Sequence, residues 1–77
     1  MNVERYDHYS MVIEWSEEDE AYIVTVPELP GCRTHGATYE QAVSRGQDAI
    51  VSWISARQAS HRPIPALRVY SGSAQSA

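Results

Sequence analysis

The chain has 77 residues, ten acidic and six basic side chains, a net charge of −4 and a pI near 5.2. That length is one domain with a thin core, which oligomerisation commonly supplements. One cysteine excludes an internal disulfide, no run of apolar residues approaches the ~20 a membrane helix needs, and no basic face suits direct nucleic-acid binding. The cationic residues Arg5, Arg33, Arg45, Arg57, Arg62 and Arg68 are scattered, so an acidic domain meeting a basic protein is the simpler expectation. The N-terminus has no charged-then-apolar signal pattern, and a cytoplasmic protein is expected.

Residues 1–7 are polar. From His8 to Trp15 the chain alternates, with Tyr9, Met11, Ile13 and Trp15 on one face and Ser10, Val12 and Glu14 on the other. Period two marks a half-buried strand. Ser16-Glu17-Glu18-Asp19 is a polar turn, and Glu20 to Val26 alternates again, with Tyr22, Val24 and Val26 facing one way. The pair is expected as a hairpin with Ile13 opposite Tyr22 and Met11 opposite Val24. Its other face then carries Val12 beside Ile23, a small candidate contact patch.

Pro27-Glu28-Leu29-Pro30-Gly31-Cys32 interrupts the pattern. Proline has no N–H for a ladder, and Pro-Gly favours a turn with positive φ at glycine. The segment is expected to stop the second strand and redirect the chain, chiefly as a structural corner. Cys32 to Gly36 is expected as a third strand. Thr38-Tyr39-Glu40-Gln41 is a capping box, and Glu40 suits the first turn of a helix over about Tyr39–Ala59. Tyr39, Ala42, Val43, Ala49, Ile50, Trp53 and Ile54 form its apolar stripe, on which Gly46 also lies. Tyr22, Val24, Ile50, Trp53 and Ile54 are expected to pack together. Arg62-Pro63-Ile64-Pro65 ends the helix. Ala66–Tyr70 alternates as a candidate short fourth strand, and 71–77 is expected as a disordered tail, outside a single domain spanning 1–70.

No constellation points to catalysis. The Glu17–Glu20 run lacks calcium-loop spacing and fits a solvated turn. Cys32 and His35 lie on opposite faces of an extended segment, which suits neither a metal site nor a nucleophile–base pair; a buried cysteine and an exposed histidine are expected. Phosphate loops, nucleophile elbows and H-E-x-x-H are absent from the sequence. The expectation is a non-enzymatic α+β protein with no catalytic residues, metal or cofactor.

The strand opening with Tyr9, the acidic turn, the run Ala21–Cys32 ending in Pro-Glu-Leu-Pro-Gly-Cys, and the helix with Ala49-Ile50 together resemble the HicB-type antitoxins over about residues 8–67. The resemblance implies a β-β-β-α-β fold similar to a reduced ribonuclease-H-like core. It also implies dimers or tetramers and a small basic mRNA-cleaving partner of the HicA type. Many such antitoxins carry a C-terminal DNA-binding module, and the short stretch after the helix is expected to be too small for one. An oligomeric transcriptional or RNA-associated regulator is the alternative.

Overall fold

The computed structural model describes residues 8–70; the polar segment 1–7 and the expected tail 71–77 lie outside them. Three strands, β1 (Val12–Ser16), β2 (Ala21–Thr25) and β3 (Arg33–Gly36), precede one helix, α1 (Tyr39–Ala59). The strands form one antiparallel sheet in the order β1-β2-β3, and α1 packs across β2 and β3. The α+β class, the three strands and the helix limits agree with the sequence pattern.

The hairpin register differs from expectation by two residues. Ile13 lies opposite Val24 and Trp15 opposite Tyr22, with Ser16 opposite Ala21. A shift of two keeps every side chain on its face. The turn explains the choice. The expected register would leave Glu17-Glu18 as a two-residue loop, whose favoured geometries demand positive φ from residues unsuited to it. The observed four-residue loop needs positive φ only at Glu20 (51°). Ser16 Oγ accepts from the Asp19 N–H at 3.2 Å and donates to the Asp19 carboxylate at 3.1 Å.

β1 starts at Val12, four residues later than expected. Continuing its register places Ser10 opposite Pro27, which has no N–H to offer. The Ser10 N–H instead donates to the Glu28 carboxylate.

Helix α1 is capped as its sequence predicts: Thr38 Oγ1 accepts from the Gln41 N–H at 3.0 Å. The Gln41 side chain reaches one residue further back than a standard box, accepting from the Ala37 N–H at 2.6 Å. At the other end His61 adopts φ 59°, and the Arg62 N–H donates to the Arg57 carbonyl at 3.0 Å. That left-handed residue followed by a long-reach bond is a Schellman-type stop.

The buried stripe of α1 is Ala42, Gly46, Ile50 and Ile54, at four-residue steps. Tyr39 and Val43, expected on the stripe, are exposed. Two glycines let α1 approach the sheet. A Cβ on Gly46 would sit 2.6 Å from Met11 Sδ and 3.1 Å from Val24 Cγ1. One on Gly36 would sit 2.5 Å from the Ala42 backbone nitrogen.

The core gathers Tyr9, Val26, Leu29, Cys32, Ile50 and Ile54, flanked by Met11, Ala49, Trp53 and Leu67. Val24 is fully buried nearby, but Tyr22 is only half-buried and packs on other aromatic rings, not with Ile50 and Ile54 as expected. Residues 62–70 form no strand, contrary to the expected fourth strand at Ala66–Tyr70. Pro63 and Pro65 have no N–H for a ladder, and the Arg68 N–H is taken by the Glu28 carboxylate at 3.0 Å.

Candidate interaction surface

The Pro27–Cys32 segment is more than a corner. Two tight turns build it: the Leu29 N–H donates to the Val26 carbonyl at 3.1 Å, and the Cys32 N–H to the Leu29 carbonyl at 2.9 Å. In the second, Pro30 presets φ and Gly31 takes φ 78°, the arrangement of a type II turn. The Val26 N–H donates to the Cys32 carbonyl at 3.0 Å and closes the loop. Pro27 and Pro30 face solvent while Glu28 and Leu29 turn inward, Leu29 to 1% exposure. Trp53 of α1 secures the outside, its indole N–H donating to the Pro30 carbonyl at 3.0 Å.

Glu28 is the one charged side chain buried among the described residues. Its carboxylate accepts from the Ser10 N–H, the Ser10 hydroxyl and the Arg68 N–H at 2.9–3.2 Å. Burial pushes its pKa up, but these hydrogen bonds outweigh that and hold it below the ordinary 4.5. Burial pushes the Cys32 thiol up from 9.0, which keeps it protonated near neutrality. Cys32 is buried and His35 exposed on the outer sheet face, as expected, so the two form no reactive pair. No group of three or more His, Cys, Asp or Glu placed to hold a metal exists among the described residues.

Among the described residues, both faces of the sheet expose apolar or aromatic side chains. The outer face of the sheet carries Val12, Glu14, Ile23, Thr25, Arg33 and His35. Val12 lies opposite Thr25, and Ile23 opposite Glu14, so the expected Val12/Ile23 patch is a diagonal pair. Val12 is exposed and Ile23 half-buried.

The second surface had no counterpart in the sequence reading. On the helix side of the sheet, Trp15, Tyr22 and Tyr39 form a row. Trp15 meets Tyr22 edge-on at 5.0 Å between centroids, and Tyr22 stacks on Tyr39 at 4.4 Å. Gly36, opposite Tyr22, lets the first turn of α1 come close enough to set Tyr39 there. Trp15 remains 49% exposed and Tyr39 63%. The Glu17–Glu20 turn closes the hairpin beside Trp15, whose indole N–H donates to Glu17 at 3.2 Å. Its sequence signal is an aromatic two residues before the acidic turn, one two residues after it, and one opening the helix.

The sequence that builds this fold has a counterpart among known families. The family described as HicB-like antitoxin of bacterial toxin–antitoxin systems matches residues 9–74. The chain belongs to the HicB-like antitoxin family. Its relatives include a UPF0150 protein of Thermoplasma acidophilum, 37% identical over 57 residues, covering 74% of this chain and 81% of the relative. A UPF0150 protein of Synechocystis is 34% identical over 58 residues, 75% of this chain and 72% of its own. One from Archaeoglobus fulgidus is 34% identical over 50 residues, 65% of this chain and 71% of its own. No solved structure matches the chain. Within this HicB-like domain, no helix among the described residues is long and apolar enough to cross a membrane.

Proposed function

We propose that this HicB-like domain is a non-enzymatic, cytoplasmic antitoxin that neutralises a small basic mRNA-cleaving toxin of the HicA type by binding it. The family match over residues 9–74 carries this reading. The net charge of −4 supports it, because an acidic surface attracts a basic nuclease over long range. The protein acts as a dimer or tetramer. The small core and the exposed Val12 support self-association, with Val12 and Ile23 as the contact patch.

Affinity capture from the native host with this chain as bait, read by mass spectrometry and followed by an RNA-cleavage assay on the captured protein, tests the proposal. A small basic protein that cleaves mRNA when freed from the chain is the expected result. Recovery of the chain alone, as a stable oligomer, would count against it.

A further inference from the structure

The aromatic row and the carboxylates beside it suit one kind of ligand group. Three rings are in contact, Trp15 edge-on to Tyr22 and Tyr22 stacked on Tyr39, and the two outer rings are about half exposed or more. A cation seated on an aromatic face is attracted by the ring quadrupole, and a guanidinium also stacks flat on it. The chain makes this contact internally: Arg57 lies over the Trp53 ring at 4.4 Å to its centroid. Trp15 and Tyr39 have no such cover among the described residues. Glu17 and Glu18 in the turn, and Glu40 next to Tyr39, form no ion pair among the described residues.

Sheet stability accounts for only part of this arrangement. A cross-strand aromatic pair stabilises a hairpin. That explains Trp15 against Tyr22 but does not require Tyr39, at the first position of α1, to extend the row into solvent. Exposed aromatics with a charged rim are the composition of interface anchors.

We infer that the Trp15–Tyr22–Tyr39 row, with the Glu17–Glu20 turn beside it, is the seat for an arginine side chain of the basic partner protein. An exposed outer ring of the row receives the guanidinium face and the carboxylates receive its N–H edge. Arginine is favoured over lysine because only a planar guanidinium can stack and hydrogen-bond at once. The antitoxin reading supplies the partner's identity; the cationic seat itself is testable without it.

The chain has two tryptophans, so nitrogen-15 NMR of the full-length protein separates the Trp15 and Trp53 indole N–H signals. The protein is titrated with an arginine–glycine repeat peptide and, separately, with a lysine–glycine repeat of equal charge. The Trp15 signal is expected to shift saturably, with an arginine midpoint about three- to fivefold lower than the lysine midpoint. Trp53, already covered by Arg57, stays in place. Glu17→Gln with Glu18→Gln, which leaves the rings intact, weakens both peptides. Equal midpoints, or an unmoved Trp15 signal, would overturn the inference. If Trp15 responds as expected but the chain binds no RNA-cleaving protein, the seat stands and the antitoxin reading fails. If such a protein is bound and Trp15→Ala with Tyr39→Ala leaves its affinity unchanged, the seat is wrong and the antitoxin reading stands.

Discussion

The Glu28 carboxylate joins Ser10 to Arg68, accepting a backbone N–H from each at 3.0 Å. One side chain from the Pro-Glu-Leu-Pro-Gly-Cys loop thereby holds together the segment entering the sheet and the segment following the helix. Neither segment has a ladder partner at these positions, so the carboxylate takes the place of a strand.

This contact makes stability sensitive to acid in a defined direction. Hydrogen bonds hold the folded-state pKa of Glu28 below its ordinary 4.5, so the folded protein binds that proton more weakly than the unfolded chain. The contribution is complete above the ordinary value and is lost as pH falls through the lowered one. Urea unfolding should show Glu28→Gln less stable at neutral pH by about 1–3 kcal/mol, with a flatter loss of stability in acid. Parallel acid profiles for the two proteins would show that the carboxylate contributes nothing as a charge.

Two glycine substitutions should differ in cost. At Gly36 a new methyl group meets Ala42 backbone at 2.5–2.8 Å, which no rotamer change can relieve. Gly36→Ala should cost about 1–3 kcal/mol and loosen α1 from the sheet. At Gly46 the 2.6 Å neighbour is the end of the flexible Met11 side chain, and alanine gains about 1 kcal/mol of helix propensity. Thermal unfolding should place Gly46→Ala well above Gly36→Ala. The reverse order would mean that helix–sheet spacing is not set at Gly36.

The acidic turn should act on association rate more than on folding. Neutralising Glu17 and Glu18, both exposed, should leave the unfolding midpoint nearly unchanged. It should slow binding to the basic partner and flatten the salt dependence of the on-rate, measured by stopped flow. An on-rate indifferent to salt in the unmodified protein would remove electrostatic steering from the account.

Periodicity made the fold legible because each element has one clear pattern. Strands alternate around Ile13 and Val24, and the helix opens on a Thr38–Gln41 box whose Thr38 half the structure reproduces, the Gln41 side chain reaching Ala37 instead. The hairpin register is less legible: side-chain alternation is indifferent to a shift of two residues, and the turn decides it, a four-residue loop with positive φ only at Glu20 replacing a two-residue Glu17-Glu18 loop. Composition also hid the inward turn of Glu28 and Leu29, since a proline-flanked loop looks like a surface corner whichever way its middle residues point. The Trp15–Tyr22–Tyr39 row is hidden for another reason: its members belong to three elements, and helical spacing assigns Tyr39 to the buried stripe. The Val12/Ile23 patch was legible as a face, though not as a diagonal pair.

As an antitoxin, this HicB-like domain is proposed to bind a basic ribonuclease and silence it. The most direct measurement is RNA cleavage by the small basic protein captured with this chain, purified and followed as the chain is added. Cleavage should fall in proportion to added chain and cease at a fixed stoichiometry, with a complex of the two proteins isolated at that ratio. Cleavage that continues undiminished in the presence of excess folded chain would contradict the account.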